Sequence, residues 1–298
     1  MTTSPPDLVP PTQPSAAHTP PPGASSPAST PTPPPAGRRG SARIISILAI
    51  CAGAALIAGT IFSGVLVAVR TSATHSQTLT AAATGIAAVD IEASAAEVTL
   101  TYGAVDEATL RVTGSGGADG WRFERDGDRL VVAASRDWWS RWGWLRGADT
   151  VELTLPASVR GADADVDVSG GSFVARGDFG ALGLTLDAGS LRVDGTADAL
   201  ITDVNAGSAR VDLAGVGEAT VTVNAGSFDG ALTGAAPDRI GIEVNAGRMD
   251  LTVPDTTYAI TSEVAAGRFT HDLTADPGAR NRIDVHVSAG AVTLTPGS

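Results

Sequence analysis

Apolar and polar residues alternate with a period of two through most of residues 86–298, and small-residue corners interrupt the alternation at regular intervals. Seven corners recur: Ser169-Gly170-Gly171, Asp187-Ala188-Gly189, Asn205-Ala206-Gly207, Asn224-Ala225-Gly226, Asn245-Ala246-Gly247, Ala265-Ala266-Gly267 and Ser288-Ala289-Gly290. Their last glycines are 18, 18, 19, 21, 20 and 23 residues apart. Three positions before each glycine stand Val168, Leu186, Val204, Val223, Val244, Val264 and Val287, all apolar; one position earlier stand Asp167, Thr185, Asp203, Thr222, Glu243, Glu263 and His286, all polar. Two positions after it stand Phe173, Leu191, Ala209, Phe228, Met249, Phe269 and Val292. A period of two sends successive side chains to opposite faces of a strand, so each repeat predicts strand, corner, strand, with an apolar face inward. Repeat lengths in this range indicate stacked arrays. The predicted fold is therefore all-β: a β-solenoid or β-helix-like domain over residues 157–298, with coils of about 18–23 residues stacked in series.

A single coil cannot offset the entropy of ordering it, so its core must be shared with neighbours and both ends of the stack require caps. Asp187, Asn205, Asn224 and Asn245 occupy one corner column. Stacked asparagines suit a structural hydrogen-bond ladder. The alternative, a calcium column, lacks the Gly-Gly-x-Gly-x-Asp pattern of calcium-binding repeats.

Residues 86–156 read as an N-terminal β cap. Ile91 to Leu100 resembles a degenerate first coil, Trp121 to Val132 is a hairpin around Asp126-Gly127, and Val151-Glu-Leu-Thr-Leu-Pro156 is an alternating strand stopped by proline. Inside the cap, Trp138, Trp139, Trp142 and Trp144 lie among Arg136, Arg141 and Arg146. Tryptophan beside arginine suits a membrane interface, a sugar platform or a protein partner; it also suits an aromatic lid over the end of the core.

Upstream the pattern changes. Residues 1–43 hold thirteen of the 18 prolines and almost nothing apolar, which predicts a disordered, polyproline-rich cytoplasmic tail. Pro11-Thr-Gln-Pro14 and Pro31-Thr-Pro-Pro34 match a proline-ligand pattern that is nearly unavoidable at this density. Residues 44–69 carry no charge, long enough for a transmembrane helix with tilt. Arg38, Arg39 and Arg43 precede it and only Arg70 follows closely, so the positive-inside bias puts the N-terminus in the cytoplasm and the rest outside the plasma membrane. Residues 70–85 read as a linker.

Composition narrows the function. Residues 71–298 carry 16 Arg against 31 Asp and Glu, which excludes nucleic acid as a partner. A single Cys, Cys51, excludes a disulfide scaffold, and four scattered His argue against a histidine metal site, so no metal or cofactor is expected. No Gly-x-Ser-x-Gly elbow or Ser-His-Asp order appears. His271 and His286 fall in structural columns, and the outward acids Asp203, Asp212 and Glu243 are explained by a solvated face, so no catalytic residue is assigned.

The span, Val151-Glu-Leu-Thr-Leu-Pro156 and the Gly/Ser-punctuated repeats together resemble the bacterial "putative adhesin" family of β-strand-repeat domains of unknown function, and the composition looks actinobacterial. The resemblance covers residues 86–298 and implies an envelope-exposed, non-enzymatic β-repeat domain; it brings no site residues. The expected role is an adhesin or envelope-binding module with an unknown envelope ligand. The alternatives are an envelope sensor reporting through its tail and, more weakly, a carbohydrate-active enzyme.

Overall fold

The computed structural model describes residues 75–114, 117–134 and 148–297, all within the second of the chain's two compact units, Phe62–Ser298. The expected tail (1–43), span (44–69) and first part of the linker lie outside the described residues, as do Trp138, Trp139, Trp142 and Trp144. Among the described residues no helix is long and apolar enough to cross a membrane.

The described residues are all-β, with two short 3-10 turns at Gly117–Gly120 and Ala157–Val159. The strands are β1 His75–Ala82, β2 Ala88–Ala93, β3 Ala96–Gly103, β4 Glu107–Gly114, β5 Trp121–Asp126, β6 Arg129–Ala134, β7 Asp149–Pro156, β8 Asp163–Val168 and β9 Gly171–Leu186. They continue as β10 Ser190–Ala214, β11 Glu218–Thr233, β12 Arg239–Val244, β13 Arg248–Pro254, β14 Thr257–Val264, β15 Arg268–His271, β16 Thr274–Ala275, β17 Asn281–Val287 and β18 Ala291–Gly297.

Most pairing is parallel at an offset of one repeat. β10 and β11 run in register from Ala199 opposite Glu218 to Ala214 opposite Thr233, with Gly207 opposite Gly226 at the corner. The inward columns form the core: Val168, Leu186, Val204, Val223, Val244 and Val287 before the corner, and Phe173, Leu191, Ala209, Phe228, Met249 and Val292 after it, are each at most 2% exposed. The corner glycines are imposed by the neighbouring repeat. A Cβ on Gly207 would lie 2.3 Å from the Gly189 carbonyl oxygen, and one on Gly226 would lie 2.6 Å from that of Gly207.

The stack departs from chain order at both ends, which corrects the expectation of coils in series. β17 and β18 pair with β12 and β13 on one side and with β14 and β15 on the other, so the last repeat, 281–297, is inserted before its predecessor, 257–271. Corner hydrogen bonds follow the same order: Ser288 N donates to Val244 O and Ala265 N to Val287 O, each at 2.9 Å. The inward residues explain the exchange. Repeat 281–297 offers Ile283, Val285, Val287, Val292 and Leu294, all buried. The matching positions of 257–271 are Ile260, Ser262, Val264, Phe269 and His271. Burying a hydroxyl and an imidazole without partners is costly, so the polar-cored repeat takes the open end, where Val264 is 41% exposed.

At the other end, repeat 88–103 is a full interior unit between 163–179 and the unit built from β6 and β7, not a degenerate terminal coil. The hairpin β5–β6 turns at Gly127, where φ is +65°. β4 pairs antiparallel with β7, and β1 antiparallel with β4. His75–Ala82 falls within 70–85, which reads as a linker in the sequence. It is a strand because Leu79 and Ala81 supply a short inward alternation that packs against the core.

Candidate functional site

The repeats turn a mostly polar edge and polar strand faces to solvent. The edge is a side-chain ladder. Ser288 Oγ donates to Asn245 Oδ1 (3.2 Å), Asn245 Nδ2 to Asn224 Oδ1 (2.9 Å), Asn224 Nδ2 to Asn205 Oδ1 (2.8 Å) and Asn205 Nδ2 to Asp187 Oδ1 (2.9 Å). The in-register corners set the spacing, and the donor chain ends on a carboxylate, which accepts without needing to donate. The amide oxygens of this column are thereby engaged in holding repeats together.

The outer face of the strands that follow the corners carries a charged ribbon. Arg176 Nε lies 3.5 Å from Asp194, Arg192 Nη2 lies 2.9 Å from Asp194 and 3.7 Å from Asp212, and Arg210 Nε lies 3.1 Å from Asp212. Parallel register creates this ribbon, because residues a repeat apart become cross-strand neighbours. At one end of it, Arg160 Nη1 donates to Asp178 Oδ2 at 2.6 Å and stands 5.0 Å from the centroid of the Tyr102 ring. The bond from Arg160 holds the Asp178 carboxyl below its ordinary pKa. Tyr102 lies across Gly177, where an added Cβ would approach its ring to 2.1 Å. Burial, reinforced by Asp178, pushes the Tyr102 phenol up to about 12.

At the other end the ribbon opens into a depression of about 170 Å³, lined by Arg210, Asp212, Asp229, Ala231, Asp250, Thr252, Thr293 and Thr295, among others. Asp229 stands opposite Asp250 on adjacent strands, and Ala231 stands between Asp212 and Thr252.

Of the residues singled out in the sequence, Asp187, Asn205, Asn224 and Asn245 are brought together in the ladder. Asp203 and Glu243 sit on strands before the corner with Thr222 between them, whereas Asp212 sits on a strand after it, so the three do not converge. His286 faces outward 3.5 Å from Glu263, and the His271 ring lies 5.4 Å from that of Phe269. Among the described residues no group of three or more His, Cys, Asp or Glu could hold a metal ion. The ribbon and depression were missed in the sequence. Their signal was a second outward column five residues after each glycine: Arg176, Asp194, Asp212, Ala231, Thr252, Asp272 and Thr295.

No protein-family model matches the chain, and no curated protein matches it. Solved structures show similarity. A putative cell adhesion protein from Clostridium sporogenes is 10% identical, with a TM-score of 0.36 over 75% of this chain and 100% of its own. A putative adhesin from Bacteroides fragilis is 11% identical, with a TM-score of 0.36 over 75% of this chain and 97% of its own. A putative adhesin from Parabacteroides distasonis is 13% identical, with a TM-score of 0.29 over 74% of this chain and 96% of its own.

Proposed function

We propose that the chain is a single-pass membrane protein whose stacked repeats form a β-solenoid outside the cell, displayed as a non-enzymatic, adhesin-like module for an envelope component. Membrane attachment rests on the charge-free run 44–69 and its arginine bias. The binding role rests on one observation. The strands after the corners present a broad outer face of arginines, carboxylates and threonine hydroxyls at strand spacing, on a scaffold with a buried apolar core. A rigid array of donors and acceptors at about 4.7–4.9 Å intervals suits an extended polar ligand better than a reaction, which needs converging groups in a water-poor site.

The test couples topology to binding. Protease added to intact cells should release the repeat domain and leave an N-terminal tag protected. Purified chain should then sediment with isolated envelope, and a chain lacking residues 1–36 should do so equally. Protection of the repeat domain from protease, or a failure to sediment, would refute the reading. Loss of a cellular output with binding intact, on removing residues 1–36, would identify a sensor instead.

A further inference from the structure

Repeat 257–271 ends the stack with an open edge. β14 pairs with β17 and β15 with β18; on the far side Tyr258 meets Ala275, and from Ala259 onward no described strand covers the edge. Ala265 N donates to Val287 O, Arg268 N to Gly290 O and Asp272 N to Leu294 O. Successive strand residues direct their backbone groups to alternate sides, so Ile260, Ser262, Val264, Phe269 and His271 turn theirs to the open edge. Such a row is a template for a strand of another chain.

The remaining segments of this chain attach at the opposite end of the stack. Residues 1–74 enter at β1, which pairs with β4 and through it with β7. Residues 135–147 run from β6 to β7. From β7 to β15 there are seven strand spacings, about 34 Å. A thirteen-residue segment tied at both ends reaches out about 23 Å at most.

A second copy fits the edge. A half-turn about an axis through the corner lays β15 of the second copy antiparallel on β14 of the first, and the reverse, in an isologous contact. The charges choose the register. With Glu263 opposite Arg268 of the second copy, the symmetry makes two ion pairs, and Thr261 faces Thr270. Within its own copy Arg268 faces only Ala291 across the ladder, and residues 261–268 are all exposed. In the same register Ser262 lies diagonal to His271 of the second copy, within hydrogen-bonding reach. The two polar residues that bar this repeat from the interior thus satisfy each other, and Val264, 41% exposed, is covered together with Phe269.

We propose that the repeat domain pairs with a second copy of itself through this end, corner to corner, with β14 of each copy against β15 of the other. The two-fold axis points the stacks in opposite directions, so copies displayed on facing surfaces are joined end to end. The contact goes beyond the envelope-binding reading and does not rest on it.

The test is a disulfide between copies. In a Cys51→Ser background, purified full chain carrying Thr261→Cys is mixed with differently tagged full chain carrying Thr270→Cys under mild oxidation. These positions face each other as a non-hydrogen-bonded pair, about 4.5 Å between Cα atoms, which a disulfide can span. The mixture should yield the mixed dimer, and neither chain alone should cross-link. Adding Glu263→Arg to both chains, or Arg268→Glu to both, sets like charges opposite each other twice and should lower the yield at least about tenfold. Adding Glu263→Arg to one chain and Arg268→Glu to the other restores opposite charges at both places and should return the yield to within about twofold. Both side chains are exposed, so circular dichroism should show every variant folded. Absence of the mixed dimer would overturn the proposal. So would a yield indifferent to the charge variants, failure of the complementary mixture to recover, or equal cross-linking of one chain alone. A chain that sediments with envelope but forms no mixed dimer would sink this contact and leave the display reading standing.

Discussion

The same substitution at three glycines separates two forces that the repeat corner combines. Gly215 has φ +80° and open space around its missing side chain. An alanine there meets only the backbone preference against positive φ, about 1–2 kcal/mol, partly offset by about 0.4–1 kcal/mol of lost freedom in the unfolded chain. Gly226 shows the reverse: it needs no positive φ, but an added Cβ would lie 2.6 Å from Gly207 O and 2.8 Å from Val204 Cγ1. Reaching an ordinary contact near 3.4 Å requires the repeats to separate by about 0.8 Å, overpacking of the kind that costs about 1–3 kcal/mol. Gly207 combines both, with φ +106° and a Cβ 2.3 Å from Gly189 O. Relieving that contact means moving about 1.1 Å, which would stretch the bond from Ser208 N to Gly189 O, now 3.1 Å, past hydrogen-bonding distance. Gly207→Ala should therefore cost about 3–5 kcal/mol, Gly226→Ala about 1–3 and Gly215→Ala about 1 or less. Urea unfolding followed by circular dichroism gives the ranking, and amide exchange in β9 and β11 shows whether the loss is local to the corner. If Gly215→Ala proved as damaging as Gly226→Ala, glycine's backbone freedom would explain the corner column and close approach between repeats would not.

Thr202 points inward, 1% exposed, and its Oγ1 has no hydrogen-bond partner among the described residues, so Thr202→Val should raise stability by about 1–2 kcal/mol in the same urea assay. Asn224→Ala breaks two ladder bonds and should cost about 1–2 kcal/mol; Asn224→Asp keeps the bond from Asn245 but faces Asn205 Oδ1 with a second acceptor, and should cost about 1 kcal/mol. Both tyrosines of the chain resist ionisation, Tyr102 and Tyr258 being pushed up to about 12 chiefly by burial. The unfolded chain releases these protons near pH 10 and the folded chain near 12, so their contribution is intact below about pH 10 and stability falls between 10 and 12. Phenolate absorbance should be absent from folded protein just above pH 10 and present after urea is added. Deleting residues 281–298 removes the inserted repeat, and amide protection should vanish in β14 and β15; retained protection there would mean that 257–271 can stack directly on 239–254.

Much of the fold was legible because β structure writes its burial into alternate residues. The inward columns beginning at Val168 and Phe173, the corner glycines and the hairpin at Gly127 all follow from local pattern. The ladder from Asp187 to Asn245 could be anticipated for the same reason, since stacking repeats turns a sequence column into a row of neighbours. The charged ribbon was present in that columnar form too, three and five residues past the corner glycines, but its meaning depends on which repeats become adjacent.

Adjacency belongs to the tertiary structure. Repeats 257–271 and 281–297 carry almost the same corner, and chain order would place the second outermost. The fold reverses them because Ser262 and His271 are tolerable only where one side is open to water, whereas Ile283, Val285 and Leu294 gain most when covered on both sides. Likewise the strand His75–Ala82 is too exposed to announce itself, and exists because β4 offers it an edge. The sequence by itself determined what each repeat buries and what it shows; only the assembled stack decided which repeats meet, since that choice compares the burial of whole repeats against one another rather than residues with their neighbours in the chain.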